Sequence, residues 1–159
     1  MSDDALGPGG IHASAVAFAD RAVLIRGGSG SGKSTLALAL LTRCLFDGTP
    51  GRLLADDRVR LRIEEQTLVA WAPQGLAGLI EVRGAGLLRV PVADPCPIRL
   101  VVDLAAAGET SERLPRRRID SIAGVTLPAV RWPARASAAG ADLVIALLSG
   151  AELVDPDAG

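Results

Sequence analysis

Apolar residues along the chain fall into short runs punctuated by Gly, Pro and Asp, a rhythm of strands more than of helices. Residues 11–19 and 22–26 form two such runs, and Asp20-Arg21 between them reads as a turn. Residues 34–44 are different: Leu36, Leu40 and Leu41, helped by Ala37 and Leu38, make an apolar stripe at helical spacing. Asp47-Gly48 and Pro50-Gly51 close that predicted helix and turn the chain. Beyond it, residues 53–55 are apolar, 59–63 alternate, and 68–71 complete a hairpin with them. Short extended pieces broken by Gly84 and Gly86 follow, then an apolar strand over 98–104. Residues 105–118 are polar and basic and read as a mobile surface loop, 119–136 are given no element, and 137–148 form a closing helix. The pattern predicts an α/β domain with a mixed, strand-rich sheet around a central helix that follows a Gly-rich loop. A flexible lead-in over 1–10, a folded body over 11–149 and a flexible tail over 150–159 complete the organisation.

A chain of 159 residues suits one domain with a real core, and 49% hydrophobic against 22% charged residues fits a folded one. Aromatics are only 3% and Tyr is absent, so Ala, Leu and Val must fill the core. That scarcity counts against single-stranded nucleic-acid binding, which relies on stacked rings. A formal charge of -1 sets up no global field for polyanions. Cys44 and Cys96 lack metal-ligand spacing and read as ordinary thiols in a reducing compartment. No apolar run is long enough to span a bilayer and residues 1–10 have no signal-peptide core, so no membrane association and a cytoplasmic setting are expected.

"GGSGSGKST", residues 27–35, carries the strongest chemical signal. Gly27, Gly32, Lys33 and Ser34 fit G-x-x-x-x-G-K-[ST] between a predicted strand and a predicted helix. Glycines let a backbone curl with its N–H groups turned inward, and the helix start adds unsatisfied donors. The loop residues Gly27, Gly28, Ser29, Gly30, Ser31, Gly32, Lys33, Ser34 and Thr35 are therefore candidate nucleotide ligands. Lys33 would neutralise terminal phosphate charge and Ser34 would ligate Mg²⁺. "LLADDRV" places Asp56 and Asp57 directly after an apolar strand, where ligands collect in open α/β sheets. Of two adjacent carboxylates, one can serve a metal while the other accepts a proton. Glu81 and Arg83 share one side of a short strand at a period of two, which alone suits a surface ion pair. His12 is the one histidine, in the strand ahead of the loop, and by itself reads as structural.

Together "IHASAVAFADRAVLIRGGSGSGKSTLALALL", "LLADDRV" and "LIEVRGAGLLRV" resemble the catalytic domain of the HPr kinase/phosphorylase family. The resemblance is good over 11–92, weaker beyond, and E-V-R-G-x-G is its most distinctive element. It implies an ATP- and Mg²⁺-dependent kinase acting on a serine of an HPr-type phosphocarrier of the sugar phosphotransferase system, with phosphorolysis as the reverse reaction. It implies that His12, Lys33, Asp57 and Arg113 are catalytic, Asp57 as proton acceptor and Arg113 steadying the transferring phosphate. It further implies magnesium ligation by Ser34 and Glu81 with support from Asp56, and pocket shaping by Arg83, Gly84 and Gly86 within 80–89. Full-length relatives are hexameric, so a homo-oligomer is expected, and the chain reads as the short form lacking the N-terminal domain. Gly28 stands where the family loop often has an acid. Pro128, Pro133 and Arg135 match a segment tied to dephosphorylation, but Ala134 replaces its glycine, which favours the kinase direction.

With Trp71 and Trp132 as packing or rim residues, adenine would be held loosely and base discrimination would be weak. Two other readings stay open: a P-loop small-molecule kinase with 112–118 as its lid, and a nucleotide-sensing regulator without catalysis. The basic run 113–118 reads as a solvated loop or a docking edge for an acidic partner.

Overall fold

The structure, a computed structural model, describes Gly7 and residues 9–158. The expected lead-in over 1–10 lies largely outside the described residues. Ten strands and two helices follow in the order β1 (Ile11–Phe18), β2 (Arg21–Arg26), α1 (Lys33–Leu41), β3 (Arg52–Ala55), β4 (Arg58–Glu64), β5 (Thr67–Trp71), β6 (Leu79–Val82), β7 (Gly86–Arg89), β8 (Cys96–Leu104), β9 (Arg118–Ile122), β10 (Val125–Trp132) and α2 (Ser137–Leu148).

The two longest apolar strands organise the molecule. β1 pairs antiparallel with β2 along one edge; its other edge takes β4 at Ile11 and His12, then β3 at Ala15 to Ala17. β8 runs parallel to β2 and to β10, and at Cys96 and Pro97 it also meets β5. The sheet is therefore mixed, as expected. The β4–β5 hairpin, tied to β1 at one side and β8 at the other, folds down over one face.

Alternation along the strands separates two cores. Ala13, Ala15, Ala17, Leu24 and Val101 face the hairpin residues Val59, Leu61, Leu68 and Ala70. Val16, Phe18, Val23, Ile25, Val102 and Leu104 face Leu36, Leu40, Val144 and Leu148 of the two helices. The alanines of β1 leave room for the hairpin to approach. The helices lie side by side on one face, so the sheet does not wrap around α1 as the sequence suggested.

Several boundaries move. The turn after β1 is Ala19-Asp20, with Ala19 at φ 56°, and Arg21 already belongs to β2. α1 ends at Leu41 and not at residue 44. Thr42 Oγ1 donates to the Ala39 carbonyl at 2.8 Å, and the Arg43 guanidinium donates to the same oxygen at 2.9 Å. Both side chains bond the Ala39 carbonyl in the last turn of the helix, and the chain turns at once. β9 and β10, unassigned from sequence, form a hairpin through Ala123-Gly124, both at positive φ. Pro128 is accommodated because β10 pairs only with β9 there; its pairing with β8 begins at Ala129. Over 150–159, Asp155 accepts the Arg117 N–H at 2.6 Å and Asp157 pairs with Arg116 at 2.9 Å. Among the described residues no helix is long and apolar enough to cross a membrane.

Candidate active site

β2, β8 and β10 run parallel, so their C-terminal ends share one end of the sheet. The Gly-rich loop leaves β2 at that end. Its geometry follows from its glycines: Gly30 and Gly32 sit at φ 76° and 101°, a region where a Cβ is costly. At Gly28 and Gly30 nothing lies within 4 Å of where a Cβ would stand, so the backbone there is bare. Gly27 differs: an added Cβ would fall 2.5 Å from Ser31 Oγ and 3.1 Å from Leu104 Cβ. Ser31 is thus packed beneath the loop, its buried hydroxyl without a hydrogen-bond partner among the described residues.

α1 starts at Lys33 with no side-chain cap and no acid in its first turn, which leaves its first amides free for an anion. The Lys33 ammonium is buried and donates to the Gly27 and Gly28 carbonyls, both at 3.0 Å. Burial pushes its pKa below the ordinary lysine value, opposed in part by the charges of Asp57 and Asp56.

The paired aspartates diverge because Asp57 takes φ 67°, a left-handed conformation that Asp tolerates better than most residues. Asp56 turns inward and is 8% exposed. Its Oδ1 accepts the Ser14 hydroxyl at 2.6 Å and the Ser34 hydroxyl at 2.8 Å, and its Oδ2 accepts the Glu81 N–H at 3.3 Å. One buried carboxylate therefore ties β1, the start of α1 and β6 together. Asp57 turns outward, its side chain 72% exposed, with Oδ1 at 3.1 Å from His12 Nε2.

The two groups meet across a cleft of about 510 Å³. His12, Asp57, Ser29, Gly30, Gly32, Lys33, Ser34, Thr35, Glu81, Arg83 and Arg135 line it. Arg83 lies just past β6, in the turn, yet reaches the same space as Glu81. Gly27, Ser31 and Asp56 stand behind the lining, Gly28 is exposed outside it, and Gly84 and Gly86 belong to the turn beyond Arg83 with open space around them.

Arg113 stands apart from the other expected site residues. It lies on the exposed segment between β8 and β9 and does not line the cleft. That segment is tied to β10 by the Glu109–Arg131 pair at 2.6 Å and to the tail by Arg116 and Arg117, which draws it along the sheet edge. Arg135, which the sequence resemblance placed only in a segment tied to dephosphorylation, lines the cleft together with Arg83. It occupies the junction between β10 and α2 at φ 61°, its backbone facing Gly32 at 3.6 Å from a hypothetical Cβ. Only the assignment of β10 would have placed that junction beside the loop. Neither Trp71 nor Trp132 lines the cleft: Trp71 lies under Arg60 and Arg62, and Trp132 Nε1 donates to the Ala136 carbonyl at 2.9 Å.

No group of three or more His, Cys, Asp or Glu side chains among the described residues is placed to hold a metal alone. The oxygen donors at Ser34, Asp56 and Glu81 suit Mg²⁺, which keeps waters and shares substrate phosphate oxygens instead of filling a protein cage. The bare loop, the uncapped helix start and these hard donors fit a magnesium polyphosphate.

Residues 8–153 match the family model described as HPr Serine kinase C-terminal domain. The chain is 46% identical over 81 residues to an HPr kinase/phosphorylase of Limosilactobacillus reuteri, covering 50% of this chain and 23% of that protein. It is 44% identical over 81 residues to the HPr kinase/phosphorylase of Bacillus subtilis, covering 50% and 24%. The match thus spans about a quarter of the length of these relatives. The solved structure of the Hpr(Ser) kinase/phosphatase from Coxiella burnetii superposes with a TM-score of 0.69 at 26% identity, covering 87% of this chain and 92% of that one.

Proposed function

Since the chain belongs to the HPr serine kinase C-terminal domain family, we propose that it transfers the γ-phosphoryl group of ATP to a serine hydroxyl of an HPr-type phosphocarrier protein of the phosphotransferase system. The observation that carries this reading is the cleft itself: an outward carboxylate, Asp57, faces a bare Gly-rich loop and a buried ammonium, Lys33.

In this reading the loop from Gly27 to Thr35 is a P-loop whose amides cradle the triphosphate. Lys33 leaves the carbonyls of Gly27 and Gly28 for phosphate oxygens, trading a neutral acceptor for a charged one. Ser34 and Glu81 would hold Mg²⁺, with Asp56 orienting Ser34 from behind, and the ion would supply positive charge against the phosphate oxygens. The acceptor hydroxyl enters beside Asp57, which takes its proton. The serine oxygen–phosphorus bond forms while the bond from phosphorus to the ADP oxygen breaks, and ADP departs. His12, 3.1 Å from Asp57, holds the carboxylate towards the cleft. Arg83 and Arg135 take the part once expected of Arg113, offsetting charge spread over the transferring group. Gly84 and Gly86 let the chain reverse after Arg83 and so shape the cleft from outside its lining. A cytoplasmic, homo-oligomeric protein, hexameric by family resemblance, belongs to the same proposal.

Purified chain, ATP, Mg²⁺ and HPr of Bacillus subtilis, followed by mass spectrometry of the acceptor, tests this reading. A phosphate on a serine is expected. Unmodified HPr, with label passing instead to a metabolite, would favour the small-molecule kinase.

A further inference from the structure

Between β10 and α2 the chain turns over 132–136, and the side chain that opens this turn also closes it. Trp132 Nε1 donates to the Ala136 carbonyl at 2.9 Å, four residues on. The same oxygen accepts the Gly140 N–H of the first helical turn at 3.0 Å, so both of its lone pairs are used. α2 has no side-chain cap, and the indole contact joins the end of the strand to the helix start in its place.

The indole is itself held. It packs against the core beneath the helices, and Gly140 leaves room for it: a Cβ there would fall 2.6 Å from Nε1 and 2.9 Å from Cδ1. The backbone of Trp132 is fixed as well. It pairs with Leu104 on β8, and its carbonyl accepts the Ala105 N–H at 2.8 Å. Both ends of the turn are therefore anchored.

Arg135 stands between those ends, at φ 61° and beside Gly32. A residue with a side chain enters that region at a cost and stays there when its neighbours hold it. Its guanidinium lines the cleft and has no hydrogen bond or ion pair among the described residues. Nothing at the tip aims this side chain, so its direction comes from the turn that carries it.

We propose that Trp132 is a positioning residue: its indole N–H holds the 132–136 turn so that Arg135 leaves it towards the transferring phosphoryl group. The inference rests on the kinase reading above, in which Arg135 offsets charge that grows during transfer. With the clamp open, the turn gains conformers that point the guanidinium elsewhere, and fewer molecules are arranged for transfer. Nucleotide binding relies on the Gly-rich loop and Lys33, so it is spared.

A double-mutant cycle in steady-state transfer to HPr of Bacillus subtilis tests this, with parent, Trp132→Phe, Arg135→Ala and Trp132→Phe/Arg135→Ala. Phe keeps an aromatic ring against the core and removes the donor. In Trp132→Phe kcat should fall about 3- to 10-fold, as for one lost hydrogen bond, with the KM for ATP unchanged. In Arg135→Ala it should fall about 10²-fold, and adding Trp132→Phe should lower it no further. Gly140→Ala reaches the clamp from the helix side through a good helix former, and should repeat the Trp132→Phe result. Losses that multiply in the double variant would make Trp132 a packing residue, overturning the proposal and leaving the kinase reading intact. An unchanged kcat in both Trp132→Phe and Gly140→Ala, or a kcat loss shared with ATP binding, would do the same. A parent that transfers nothing to HPr overturns both.

Discussion

Replacing Asp57 by Asn lowers kcat for phosphoryl transfer by about 10²- to 10⁴-fold, the span usually lost with a general base, while nucleotide affinity stays near that of the parent. The substitution keeps shape and a polar contact to His12 but removes the basic oxygen. Because the Asp57 side chain is 72% exposed and makes no contact inside either core, the fold should not be disturbed. Its neighbour behaves differently. Asp56 accepts Ser14, Ser34 and the Glu81 amide, so changing it breaks a buried hub and damages stability together with activity. Steady-state kinetics with nucleotide titration separates the two. Equal loss of nucleotide binding and turnover in Asp57→Asn would make Asp57 a metal or structural residue.

Removing the ammonium with Lys33→Ala acts on binding itself. Charge-assisted hydrogen bonds contribute about 1.5–3 kcal/mol each, which corresponds to a loss of about 10- to 100-fold in affinity for ATP. The pH dependence has a definite sign. Burial holds the Lys33 pKa below the ordinary 10.5, so in the free protein the ammonium is lost at lower pH than from a solvated lysine. ATP affinity should therefore fall as pH rises through that depressed value, and Lys33→Ala should lack this dependence. Calorimetric titration across the alkaline range measures both effects. Unchanged ATP binding in Lys33→Ala would remove the Gly-rich loop from the nucleotide site.

Much of the site is local in sequence, which is why it was legible. Glycines, Lys33 and Ser34 between a strand and a helix specify a loop whose geometry depends on few distant residues. The divergence of Asp56 and Asp57 follows the same logic: a two-residue break between β3 and β4 must turn one side chain in and the other out. The partnership of Ser14 with Asp56 was not legible. It joins residues 42 positions apart, and a serine in an otherwise apolar strand carries no sign of its partner. Arg135 matched a family segment, but its place in the cleft was not legible, for a topological reason. Its place in the cleft depends on β10 running parallel to β8, and Pro128 together with the Ala123-Gly124 turn hid that strand. Arg113, assigned by resemblance alone, lies on the segment between β8 and β9 and not among the residues that line the cleft, since a motif in a loop does not say where that loop packs. At the close of α1, Thr42 and Arg43 both bond the Ala39 carbonyl, a competition invisible to apolar periodicity.

The central claim is that one cleft both grips a polyphosphate and presents a carboxylate to the entering hydroxyl. A crystal structure with a non-hydrolysable ATP analogue and Mn²⁺, located by its anomalous signal, tests it most directly. The account predicts the triphosphate along residues 29–34, the metal beside Ser34 and Glu81, and the terminal phosphate facing Asp57. Nucleotide bound elsewhere, or Asp57 turned from the terminal phosphate, would contradict it.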